Sequence, residues 1–303
     1  MVDKTNSGLI INQYSYTYDV NGDIITETDS NCSTISTMTY DANGRLTARK
    51  DNDILGNEIA NYTYSYDAAS NITVSSRGTL VYDTNNRLIS NNGQNMTYDA
   101  DGNMTTGMLN GTTATFSYDS GNRLIQVGST KYTYDANNNR MTSTTDNKTT
   151  KYVYDTTADL SRMLMSTNAD GITIYYVYGN GLISSEVKME IIVFTIMITV
   201  AAHRQLQVQG GTVTERYSYD AYGKLLTHTG TGITPFLFNG HDGVITDSNG
   251  LYYMQARYYS PEIGRFVNAD VRKGSISNSN TLNRYAFANG NPVSFVDPRG
   301  EFA

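Results

Sequence analysis

One phrase recurs along the chain and leaves little freedom for the fold. It reads YTYDVNGDI at 16–24, MTYDANGRL at 38–46, YSYDAASNI at 64–72 and LVYDTNNRL at 80–88. It returns as MTYDADGNM at 96–104, FSYDSGNRL at 116–124, YTYDANNNRM at 132–141, YVYDTTADL at 152–160 and YSYDAYGKL at 217–225. The aspartates fall at 19, 41, 67, 83, 99, 119, 135, 155 and 220, and the first eight are spaced by 16 to 26 residues. A fixed phrase at such a period predicts stacked repeats.

Each unit reads as a strand, a turn and a return strand. The two tyrosines, two positions apart, share one face of a strand. The aspartate opens the turn, because its carboxylate can accept a backbone N–H two residues on. Asn-Gly, Asn-Asn or Gly-Asn follows, pairs that tolerate positive φ. Two short strands and their turns fill the period, with no room for a helix. A lone hairpin is marginal, so the units must stack into one twisted antiparallel sheet. Nine units are too few to close a shell, which predicts an open, curved strip with exposed edges.

Composition agrees. There are 25 Tyr, no Trp and only 4 Pro, a balance that favours strands and tight turns. At 39% apolar and 17% charged, the chain is too apolar for disorder. Lys and Arg number 22 against 29 Asp and Glu, and the cations are scattered, so no nucleic-acid partner is expected. Cys32, the single cysteine, rules out an internal disulfide framework and reads as an ordinary strand residue. His203, His228 and His241 lack metal-ligand spacing. The DADGN run at 99–103 fails as a calcium loop, with Met104 and Asn110 where Gly and Glu are needed. No nucleotide or serine-nucleophile motif is present, so no cofactor is expected. The start MVDKTNSGLI has no signal-peptide pattern.

The YxYDxxGRL phrase resembles the tyrosine-aspartate (YD) repeat of the Rhs family, which includes Tc-toxin components, wall-associated polymorphic toxins and, more distantly, teneurins. From about 236 the text resembles that family's repeat-associated core. The residues that carry the likeness are Gly250-Leu251-Tyr252-Tyr253, Ala256-Arg257-Tyr258-Tyr259, Pro261, Gly264-Arg265-Phe266, Asp270, Asn283, Tyr285, Asn291-Pro292 and Asp297-Pro298-Arg299-Gly300.

The resemblance implies an all-β fold of stacked hairpins, a spiralling shell segment capped by the core. It divides the chain into repeats at 1–165, last repeats with an atypical insert (187–209) at 166–230, and the core at 231–303. It implies an extracellular or surface setting, and a C-terminal toxin or an N-terminal shell segment as partner. Cell-surface carbohydrate is a second partner class, since exposed tyrosines can stack on sugars.

By the same resemblance Asp270 and Asp297 form a self-cleaving acid/base pair, with Arg265 as the neighbour that tunes them. Two carboxylates held together resist double ionisation, which lets one serve as acid and the other as base. From the residues alone, Asp297 also suits the opening of a turn before Pro298, and Arg265 a structural ion pair with Asp270. The sequence departs from the family at Val271, where Pro is usual, and at Glu301, where Leu is usual. A carboxylate at 301 beside two others predicts poor cleavage.

Residues 191–202 are almost wholly apolar but too few to span a bilayer, which needs about 20. The stretch 187–209 reads either as a buried strand pair or core helix, or as out-of-frame text that would lie detached from the repeat.

Overall fold

The computed structural model describes residues 2–4, 10–30, 33–76, 78–158, 160–187, 191–197, 203–208, 212–230, 234–277 and 279–301. Cys32 lies outside them, as do 188–190, 198–202 and 209–211 of the atypical stretch. Among the described residues the chain is all β, with three short 3-10 turns and no α-helix.

Ten consecutive strands, from Val2–Lys4 to Gln94–Asn95, pair in sequence order. Fourteen more, from Thr97–Tyr98 to Leu225–Thr229, do the same. All of these pairings are antiparallel. Between the two runs only Met96 is unpaired in the ladder; it is buried, and its N–H still bonds to Ile89 O. The strip is open and curved. Arg49, in strand Leu46–Asp53, reaches Tyr219 O, 170 positions on.

The turn explains the phrase. Asp41 Oδ1 accepts from Asn43 N at 2.9 Å and from Arg45 N at 3.0 Å. Its own N–H bonds to Arg45 O. The same double acceptance recurs at Asp19, Asp67, Asp83, Asp99, Asp119 and Asp135. Only the third residue after Asp is left-handed: Gly44 at φ +74°, Asn86 at +62°, Asn122 at +60°. A two-residue hairpin of the Asn-Gly kind would need two such residues. The register slips at the second tyrosine of the unit, as between Thr39 and Tyr40, so each turn closes with a bulge.

In units with two tyrosines the first faces inward, buried at Tyr64, Tyr132, Tyr152 and Tyr217, as is Tyr176 of the related YVYG phrase; Tyr18, the second tyrosine of the first unit, stands exposed. Elsewhere the second packs beside the first, and in several units it reaches backward. Tyr66 Oη donates to Leu46 O, Tyr82 to Ile72 O, Tyr134 to Leu124 O and Tyr178 to Met163 O. Each acceptor starts, or lies in, the return strand of an earlier unit. Loss of one such hydroxyl, in Tyr82→Phe, is expected to cost about 1 kcal/mol, read from the urea midpoint.

The turn carboxylates also set an acid limit. Burial alone would raise Asp41, Asp83, Asp119 and Asp135, but arginine or asparagine partners and backbone N–H groups outweigh it, and all four sit below the usual range. A carboxylate whose folded pKa is depressed lends stability above its unfolded pKa and loses it as pH falls through the folded one. The denaturation midpoint is therefore expected to hold from neutrality down to about pH 4 and to fall steadily below it. A midpoint flat to pH 3 would contradict this.

The atypical stretch does not leave the ladder. Ile191–Met197 pairs with Gly181–Val187 and with His203–Val208, which in turn pairs with Thr212–Tyr219. The backbone there is a strand pair, neither a helix nor a detached excursion.

Candidate functional site

Residues 234–301 fold back onto the inner face of the strip as a cap. Its sheet joins Ile245–Thr246, Tyr252–Met254, Arg257–Ser260 and Arg265–Phe266. Tyr252, Tyr253, Tyr258, Tyr259, Phe266 and Phe287 are buried there, within one core that includes the inward tyrosines of the strip. Polar anchors tie the cap to successive units. Asn291 Nδ2 donates to Asp23 Oδ1, Asn283 Nδ2 to Asn71 Oδ1, Tyr285 Oη to Gly102 O and Tyr253 Oη to Asn138 O.

The deepest anchor is Arg140, which is 0% exposed. It pairs with Asp247 of the cap at 2.7 Å. The rings of Tyr253, Tyr152 and Tyr132 lie 4.7, 4.9 and 5.3 Å from its guanidinium carbon. Tyr132 Oη shares Asp247 Oδ2, and Asn249 Nδ2 in turn donates to Tyr132 Oη.

The cap brings Asp270 and Asp297 together, both 0% exposed. They meet on a single nitrogen. Arg257 Nη2 lies 2.9 Å from Asp270 Oδ2 and 3.4 Å from Asp297 Oδ2. Asp270 Oδ1 accepts from Arg272 N at 2.7 Å, whereas its Oδ2 accepts no hydrogen bond among the described residues. Asp297 opens a turn, accepting Gly300 N on its carbonyl and Glu301 N on Oδ1 at 3.1 Å. Arg257 Nε donates to Gly300 O. The Gly300–Glu301 peptide is thus gripped at its carbonyl by Arg257 and at its N–H by Asp297.

Burial lowers the Arg257 pKa to about 10, with Asp270 and Asp297 opposing the fall. It stays cationic at neutral pH and stacks on the Phe266 ring.

Arg265 is elsewhere, which corrects the expectation that it tunes the pair. It donates from Nη2 to Asn86 O at 2.6 Å and lies between the rings of Tyr82 and Tyr285. Neighbours in a strand face opposite ways. With Phe266 turned to Arg257, Arg265 must turn to the strip. The ion pair with Asp270 is made by Arg257 instead.

The sequence carried a signal for Arg257 that went unused. It stands in Ala256-Arg257-Tyr258-Tyr259, and a guanidinium in so buried a strand requires carboxylate partners. Glu301 also differs from expectation. Its carboxylate lies 2.8 Å from Arg272 Nη2, so a cation meets the extra charge.

Comparison with known proteins places this geometry. Over 93 residues, 30% of the chain, it is 36% identical to the tRNA nuclease WapA of Bacillus subtilis (strain 168). Over 107 residues it is 36% identical to the double-stranded DNA deaminase toxin A of Burkholderia cenocepacia (strain H111), covering 33% of this chain and 7% of that protein. The chain spans about 4% of the length of the WapA relatives it matches. The crystal structure of TcdB2-TccC3 superposes with a TM-score of 0.59 at 17% identity, over 99% of this chain and 21% of that one. The fold is that of an Rhs-type shell segment. A family profile described as Teneurin YD-shell matches residues 13–293, and the chain belongs to that family.

Proposed function

We propose that this chain is the closing segment of an Rhs-type toxin shell, with residues 234–301 as its end cap and the Asp270–Asp297 pair as a self-processing centre. The observation that carries the reading is the grip on the Gly300–Glu301 peptide by Arg257 and Asp297, beside a buried second carboxylate. Donors fixed on a carbonyl are the means by which charge developing on its oxygen is stabilised.

In the proposed step, water adds to the Gly300 carbonyl carbon, whose oxygen Arg257 holds. Asp270 Oδ2, which accepts no hydrogen bond among the described residues, takes the water's proton. Asp297 delivers a proton to the departing nitrogen. The C–N bond breaks, one water is consumed, and a carboxyl and an amine are left. By analogy with its relatives, the segment released would be an effector carried after the cap, in a secreted or surface-displayed parent.

The test is a folded reporter fused after Ala303, followed by mass spectrometry. New ends within 300–303 support processing, and an intact fusion under native conditions refutes it. The carbohydrate reading is less well supported. Among the described residues, Tyr18, Tyr175 and Phe295 are the large aromatics that stand exposed, and the other tyrosines face inward or pack on the core. Glycan binding abolished by Tyr175→Ala would favour it.

A further inference from the structure

We infer that Arg272 is a specificity-determining residue of the self-processing centre and selects an acidic side chain at position 301; the inference rests on the self-processing reading above. Arg272 touches both halves of the site. Its backbone N–H donates to Asp270 Oδ1 at 2.7 Å, and its guanidinium holds Glu301 Oε2 at 2.8 Å. One residue therefore sets the Asp270 carboxylate and the side chain that follows the DPRG turn. One backbone bond and two arginine side-chain bonds complete the frame. Asp270 N donates to Arg284 O, Arg284 Nε to Asp270 O, and Arg257 Nη1 to Arg284 O. The 270–272 segment is held by bonds that do not involve Glu301.

The charge count gives the selectivity. Asp270, Asp297 and Glu301 bring three carboxyl groups around the buried cation Arg257. In the proposed step Asp297 starts protonated, so Glu301 adds its negative charge to that of Asp270, and a cation outside the Arg257 and Arg284 contacts can draw it outward. Arg272 is placed to do so, its side chain 58% exposed and that of Glu301 29% exposed. An apolar residue at 301 would forgo this pair, and a basic one would be repelled by Arg272. The centre thus favours an acidic residue at 301.

The experiment uses the full chain with a reporter fused after Ala303 and has two readouts. The first is the rate of spontaneous release. Arg272→Glu is expected to slow it about fivefold or more, Glu301→Arg similarly, and the double exchange to restore most of the loss, with the parent rate falling as salt rises. The second readout does not depend on self-processing. In the Asp297→Asn background, an added glutamate-specific protease is expected to free the reporter after Glu301 about threefold to fivefold faster when Arg272→Gln releases the clamp.

Equal protease rates would overturn the clamp. Release that is blocked by Asp297→Asn but indifferent to Arg272 would overturn the specificity role and leave the centre standing. No release from the parent would overturn the self-processing reading and this role with it, while the protease rates would still decide the clamp.

Discussion

With a reporter fused after Ala303, Asp270→Asn and Asp297→Asn are each expected to slow release by about a hundredfold or more, the range of a lost general acid or base. Both substitutions keep the shape while removing one carboxylate from the pair that meets on Arg257. After Asp297→Asn the side-chain amide oxygen can still accept Glu301 N, so the turn persists and the loss is chemical. Arg257→Lys should also fail, because an ammonium cannot reach Asp270, Asp297 and Gly300 O from one planar fork. Arg265→Lys should leave the release rate near that of the parent, since its contacts lie on Asn86, Tyr82 and Tyr285. Release that survives both aspartate changes would remove the centre and leave DPRG as a turn.

The second large effect is on stability. Arg140→Ala is expected to cost about 3–5 kcal/mol, because it strands the Asp247 carboxylate against buried tyrosines. Asp247→Ala should cost a similar amount, leaving a guanidinium with no exposure and no carboxylate. The double replacement Arg140→Met with Asp247→Leu should recover most of the loss, since a buried ion pair contributes little over apolar filling. Chemical denaturation of the four proteins measures the coupling. Additive losses with no recovery would show that the two side chains act separately.

These two sites show what could be read from the text and what could not. The turn was readable because everything it needs is local: Asp41 and the amides of Asn43 and Arg45 lie within five residues. The inward face was readable from the spacing of the paired tyrosines. The backward reach of Tyr66 or Tyr82 was not, since its acceptor lies on another strand and depends on the slip in register. Arg140 and Asp247 are 107 positions apart, and although Arg140 stands in the unit at 132–141, nothing in the repeat points to Asp247.

At the candidate site, the pairing of Asp270 with Asp297 followed from family likeness, while the identity of their arginine depends on strand alternation. Family likeness suggested Arg265, and the pleat delivered Arg257. Glu301 looked like a flaw because its countercharge, Arg272, lies 29 positions earlier.

The tyrosine hydroxyls give the strip a direction. At Tyr40, Tyr66, Tyr82, Tyr134 and Tyr178 the second hydroxyl donates toward the amino end, to a carbonyl that an earlier unit has already put in place. A chain emerging from the ribosome amino end first offers those acceptors in the order in which the donors arrive. A new hairpin that carries such a tyrosine can then lock onto a finished one, as a ratchet advances tooth by tooth, while a chain started midway would present that donor with nothing behind it. Removing a leading unit should therefore hurt the next unit more than removing a trailing unit hurts the one before it. The direction of these bonds lets the strip assemble in the order in which it is translated.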